Sequence, residues 1–124
     1  MGRLRPAGFF QELPHGSGAG PSLRALVSDR AQEHEGAVVR YLRSGVLLIG
    51  CPGVATDLLD HSAGFVGSPH ILTDGVWAWP GDLAYYVEKY HVSLPAEFTD
   101  HIQANNWRVL DQADIDIASL ELEI

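Results

Sequence analysis

The side chains best suited to chemistry are six histidines, at positions 15, 34, 61, 70, 91 and 101, and a single cysteine, Cys51. An imidazole changes protonation near neutral pH, so histidine serves as a general base or as a metal ligand. A metalloprotease zinc site needs the spacing HExxH, and a structural zinc site pairs histidines with closely spaced cysteines. Neither spacing occurs. Asp60-His61 and Asp100-His101 set an acid beside a base, yet adjacent helical residues do not face each other, so adjacency alone makes no dyad. The histidines read as surface and loop residues, and neither a metal ligand nor a catalytic residue is assigned. Cys51 as a nucleophile would need an exposed thiolate and a nearby histidine. It lies between an apolar run and Pro52-Gly53, where a free cysteine reads as a small hydrophobe. A lone cysteine makes no internal disulfide, which agrees with a reducing, cytoplasmic setting. The stretch HGSGAGP, His15 to Pro21, is rich in glycine but lacks the Lys-Ser/Thr end and the preceding strand of a phosphate loop, so it reads as a linker and no cofactor is implied. The carboxylate pair of a glycosidase is set in space, and no local spacing marks one.

The aromatic residues carry a stronger signal. TDGVWAWPGDLAYYVEKYHVSLPAEF, Thr73 to Phe98, holds two of the three tryptophans and three of the four tyrosines. In one reading Trp77 and Trp79 are core, burying one sheet face beneath a helix, at about 1.5–3 kcal/mol for each large side chain. In the other, one indole and Tyr85 stand exposed beside Asp74, Asp82 and Glu88. Aromatic residues rimmed by acids suit a protein contact, because Trp and Tyr dominate interface energetics. Asp74, Trp77, Asp82, Tyr85 and Glu88 are therefore the candidate partner-binding residues.

Charge narrows the partner. The net charge is −8. Residues 1–45 carry six Arg against four Asp or Glu, whereas residues 46–124 carry one Lys and one Arg against twelve Asp or Glu. An acidic C-terminal two-thirds disfavours nucleic acid, whose phosphates need a basic face. It favours a basic partner drawn in by electrostatic steering. No apolar run approaches the ~20 residues of a membrane span, and the N-terminus lacks the apolar stretch of a secretory signal.

These residues must be positioned by a modest set of elements. A length of 124 residues fits one domain. Residues 1–22 read as loosely ordered, with Phe9, Phe10 and Leu13 as anchors. PSLRALV reads as a short helix started by Pro21 or Ser22, with Leu23, Leu26 and Val27 on one stripe. Val38–Leu42 and Val46–Ile49 read as two strands of a hairpin, the second buried on both faces. A short helix is expected after Pro52-Gly53, with Val54, Leu58 and Leu59 turned inward. Asp74-Gly75 is a turn signal that folds His70–Thr73 against Val76–Trp79, placing Trp77 and Trp79 on one face and Val76 and Ala78 on the other. Pro80 ends the strand and opens a helix whose Leu83, Tyr86, Val87 and Tyr90 form a buried stripe. Pro95 opens another, with Phe98 and Ile102 inward and Asn105-Asn106 as its stop. Trp107, Val109 and Leu110 are expected to return to the sheet. The tail, residues 111–124, reads as an acidic segment or a bulged edge strand. The fold class is α+β: a small, mainly antiparallel sheet with three to four helices packed on it.

The run from Thr73 resembles a motif of small actinobacterial proteins, TDG-x-W-x-W-P-x-x-L-x-x-Y-V-x-x-Y-x-x-x-L-P, and RPAGFFQELPHG with PSLR resembles their start. The likeness spans residues 36–110. Such proteins are similar in type to immunity proteins of bacterial polymorphic toxin systems. The resemblance implies a non-enzymatic cytoplasmic module that binds and neutralises a toxin, here a basic one gripped by an acidic surface. It transfers no catalytic residue. The alternative is a small ligand-binding or hydrolytic enzyme using a histidine and a carboxylate in a cleft. A homo-oligomer joined through an apolar edge at residues 115–124 is a third reading.

Overall fold

The computed structural model describes residues 2–13, 20–51, 53–109 and 120–122. Most of the glycine-rich loop and of the acidic tail lies outside these residues. In chain order the elements are β1 (Gly2–Pro6), α1 (Leu23–Leu26), α2 (Glu35–Arg43), β2 (Val46–Ile49), β3 (Ala55–Thr56), β4 (Phe65–Gly67), β5 (Ile71–Thr73), β6 (Trp77–Pro80), α3 (Leu83–Tyr90), α4 (Ala96–Ala104) and β7 (Leu120–Leu122). The fold is α+β. The main sheet runs β2-β5-β6-β1-β7, and β3 and β4 make a separate two-stranded ribbon. The pairs β2–β5, β5–β6 and β3–β4 are antiparallel. β1 joins β6 and β7 in parallel.

The hairpin β5–β6 is the best-specified part, and its turn explains the Thr-Asp-Gly sequence. Asp74 Oδ1 accepts hydrogen bonds from the Val76 and Trp77 amides at 2.9 and 2.7 Å. Thr73 Oγ1 donates to the Trp77 carbonyl at 2.7 Å and accepts from the Gly75 amide at 2.9 Å. Gly75 sits at φ 96°, a left-handed position that glycine adopts without steric cost. The register pairs Leu72 with Trp79 and Thr73 with Ala78, so both indoles point to the same face. That face meets α2, α3 and α4 in one cluster built on Val38, Tyr41, Leu83, Tyr86 and Phe98. Trp77 and Trp79 are 3% and 0% exposed. Trp77 stacks on Phe98 with ring centroids 4.6 Å apart, and Trp79 Nε1 donates to the Leu42 carbonyl at 2.9 Å. The opposite face holds a smaller cluster of Leu4, Phe9, Ile71 and Ala78.

Four expectations need correction. First, Val38–Leu42 is helical, within α2. A strand would have alternated and set Arg40 beside Val38 and Leu42 on one face. The helix instead buries Val38, Val39, Tyr41 and Leu42 while Arg40 and Arg43 stay outside, so packing overrides the β preference of valine. Second, β2 is an edge strand rather than an interior one, with Leu47 52% and Ile49 43% exposed. Third, the segment after Gly53 forms β3 and a turn rather than a helix. The turn is fixed by Asp57 Oδ1, which accepts from the Leu59 and Asp60 amides at 2.7 and 3.0 Å. Fourth, residues 2–13 of the segment expected to be loose are ordered. β1 lies between β6 and β7, and Phe9, Phe10 and Leu13 are buried. Glu12 then reaches α1, accepting from the Leu23 amide at 2.7 Å and the Arg24 amide at 3.0 Å, which satisfies donors that every helix start leaves open.

The helices expected after Pro80 and Pro95 both form, but Pro80 is the last residue of β6 and Tyr90, expected in the buried stripe, is only half-buried. α3 buries Leu83, Tyr86 and Val87, and α4 buries Phe98 and Ile102. Asn105 caps α4, but Trp107 stays out of the sheet, turning back at φ 62° with its amide on the Ile102 carbonyl at 3.1 Å. Among the described residues no helix is long and apolar enough to cross a membrane.

Candidate functional site

The sequence-derived contact residues are mostly inside the protein. Asp74, Trp77 and Asp82 are buried. Tyr85 is half-buried, and Glu88 is exposed but paired with Arg43 through two contacts of 3.3 Å. Neither Trp77 nor Trp79 reaches solvent, so the exposed indole ringed by acids is not formed. The outer side of Trp77 is covered by the guanidinium of Arg5, 4.3 Å from the ring centre, and Arg5 pairs with Glu97.

Asp74 is instead the hub of a buried network. Its Oδ2 accepts from Tyr41 Oη and lies 2.9 Å from His101 Nε2, while Asn105 Nδ2 donates to Tyr41 Oη at 3.3 Å. Burial first, and the Asp74 hydrogen bond second, push the Tyr41 hydroxyl well above its ordinary pKa. The real partner of His101 is Asp74, brought by folding, and not its neighbour Asp100.

A second network fastens the β3–β4 ribbon to α3. Asp57 is fully buried. Its Oδ2 accepts from Tyr85 Oη and Tyr90 Oη at 2.6 Å each and from Lys89 Nζ at 3.3 Å. Lys89 lies over both rings, 5.5 Å from Tyr85 and 5.3 Å from Tyr90. Burial alone would raise the Asp57 pKa. The tyrosine hydroxyls, the Leu59 amide and Lys89 outweigh it and hold the carboxyl at about 2. Tyr85 is thereby a clamp rather than a free contact.

The surface that can receive a partner lies elsewhere. An open cleft of about 410 Å³ runs between the start of α2, the α3–α4 connection and the end of α4. Its base is apolar, with Val38, Val87, Val92 and Leu94. Glu33, Glu35 and Asp100 supply three carboxylates, and among the described residues no Lys or Arg lines it. Trp107 and His34 form an aromatic corner, ring centres 4.9 Å apart and inclined by 48°. Trp107 is the only one of the three tryptophans that is not buried.

Docking positions these residues. Glu35 opens α2 and accepts from the Gln32 amide at 3.0 Å. The same carboxylate meets His91 Nδ1 at 2.9 and 3.0 Å, and Gln32 Nε2 donates to the His91 carbonyl at 3.1 Å. The loop before α2 is thus tied to the end of α3. Four non-glycine residues among those described have left-handed backbone: His34 at φ 59°, His91 at φ 54°, Asn106 at φ 56° and Trp107 at φ 62°. His34 and Trp107 line the cleft, His91 holds Glu35, and Asn106 precedes Trp107. Such conformations cost roughly 1 kcal/mol or more for bulky residues and persist only where their surroundings enforce them.

Three histidine–carboxylate pairs exist among the described residues, His34–Glu33 at 3.3 Å, His91–Glu35 and His101–Asp74. Among the described residues no Ser, Thr or Cys hydroxyl or thiol is hydrogen-bonded to these imidazoles, and no three His, Cys, Asp or Glu side chains gather as a metal site. Sequence reasoning missed the cleft because its walls come from two distant segments. The one local signal was Trp107 directly after the Asn105-Asn106 stop, where an indole has no helix left to pack into. Compared with known proteins, the chain matches no protein-family model, no curated protein and no solved structure.

Proposed function

We propose that this chain is a non-enzymatic cytoplasmic binding module of the immunity type, which holds a basic protein partner on its acidic surface. The observation that carries this reading is the cleft: the exposed carboxylates of Glu33 and Asp100, a third on Glu35 paired with His91, no Lys or Arg among the described residues that line it, an apolar base and a partly exposed indole, on a chain of net charge −8. An apolar centre with a charged rim is the ordinary make-up of a protein-binding site. Acidic surroundings speed encounter with a cationic partner and weaken with salt. The Trp77–Trp79 layer serves this function indirectly, as the foundation on which α2, α3 and α4 are set.

The test is affinity capture from the native cell with the whole chain as bait, followed by measurement of affinity for the recovered protein. A basic partner whose binding falls steeply between 50 and ~500 mM salt, well beyond a Debye length's screening, supports the reading. A partner bound equally by the Glu33→Lys/Asp100→Lys double variant removes it. The enzyme reading rests on one observation, that Glu35 of the His91–Glu35 pair lines the cleft. Turnover of an ester or amide substrate that disappears in His91→Gln would favour it.

A further inference from the structure

We infer that the cleft receives an arginine side chain of the partner, its guanidinium lying on Trp107 beside the exposed carboxylates of Glu33 and Asp100, while Glu35 stays paired with His91. This rests on the binding-module reading above and specifies what enters the site. Three features select this group. A guanidinium is flat and weakly hydrated, so it stacks on an indole at less desolvation cost than the compact ammonium of lysine. Its forked donors suit two carboxylates at once. The apolar side of the cleft offers the half-buried Leu94 to the methylene stem, which is the usual way a long cationic side chain shields apolar surface.

The protein already uses this geometry once. Arg5 lies 4.3 Å over Trp77 while pairing with Glu97. That site is filled from within the chain. At Trp107 the carboxylates and the indole are present and no Lys or Arg of the described lining fills the place. His34 meets the ring at 48°, so it does not seal the indole under a flat stack. The volume of about 410 Å³ exceeds one side chain, and Ser93, Thr99 and Gln103 offer hydrogen-bonding groups to the peptide on either side.

The experiment uses the full chain, labelled with ¹⁵N, and three blocked tripeptides: Gly-Arg-Gly, Gly-Lys-Gly and Gly-citrulline-Gly. The indole N–H signals are assigned with Trp107→Phe. The arginine peptide is expected to shift the Trp107 indole signal saturably and leave those of Trp77 and Trp79 in place. Lysine should bind roughly threefold or more weakly, given the smaller stacking gain of an ammonium. Citrulline, which has the shape without the charge, should not saturate. Asp100→Asn, at an exposed position, should weaken the arginine peptide by roughly threefold or more, with an unchanged melting temperature showing that the fold is intact. Equal shifts with arginine and citrulline, or an arginine response confined to other residues, overturn the proposal. So does full affinity in an Asp100→Asn/Glu33→Gln variant that remains folded. The outcome separates from that of the parent reading. A captured partner with no arginine response at Trp107 removes the inference and leaves the binding module. An arginine response with no partner captured at any salt concentration upholds the cleft as an arginine site and removes the module.

Discussion

Replacing Asp57 by asparagine keeps the shape of the side chain and removes its charge. In the native protein this buried carboxylate accepts from Tyr85, Tyr90, Lys89 and two backbone amides, and its pKa sits at about 2 against an ordinary 3.8. Each unit of depression is worth about 1.4 kcal/mol, which sets a ceiling of roughly 2.5 kcal/mol for the folded-state preference of the charged form. Lys89 is 39% exposed, so solvent screening lowers the expected loss in Asp57→Asn to about 1–2 kcal/mol at pH 7. The sign of the pH dependence follows from the depressed pKa. The contribution is present above the unfolded value of 3.8 and is lost as pH falls through about 2. Urea unfolding of both proteins, followed by tryptophan fluorescence at pH 7, 5, 3 and ~2, reads this directly. The gap should be full at pH 7 and 5 and shrink below pH 4. Equal stability at pH 7, or a gap that persists undiminished at the lowest pH, refutes the account of the ribbon's fastening.

Gly45→Ala places a Cβ 2.6 Å from Trp79 Cζ2 and 2.8 Å from Leu72 Cβ, so overpacking should cost about 1–3 kcal/mol in chemical denaturation. Tyr41→Phe leaves the buried Asp74 without one donor and should cost about 1–2 kcal/mol, measured the same way. Burial pushes Tyr86 and Tyr90 up to about 12 from 10.0, so the unfolded chain ionises first and stability should fall from about pH 10 to pH 12. An alkaline melting series with no fall in that interval would contradict the burial of Tyr86 and the Asp57 hydrogen bond of Tyr90. Trp107→Ala should leave the melting temperature within a few degrees of the parent while abolishing saturable binding of the arginine peptide, since the ring is partly exposed and outside the sheet.

The sequence is most readable where a local residue dictates the backbone. Asp74-Gly75, Pro80, Pro95 and Asn105 each fix a turn, a stop or a start by their own chemistry, and the hairpin, α3 and α4 follow from them. Val38 and Val39 mislead for the opposite reason. Their branched side chains favour a strand, and only docking of the Val38–Leu42 stripe against α3 selects the helix. β1 is similarly hidden, because an Arg-Leu-Arg-Pro segment becomes a strand only through pairing with β6 and β7. The acids and aromatics of the Thr73–Phe98 run are structural: Asp74 makes the turn, the indoles fill the core and Tyr85 serves Asp57. The surface counterpart is assembled from Glu33, Asp100 and Trp107, which line one cleft and whose nearness no short-range pattern encodes.

The claim on which the functional account depends is that the partner lands on the cleft beside Trp107. Amide hydrogen exchange of the chain with and without its captured partner measures this most directly. Protection concentrated in residues 32–38 and 93–107 is the predicted result. Protection confined to the β3–β4 ribbon or the β2 edge, with the cleft unchanged, would contradict it.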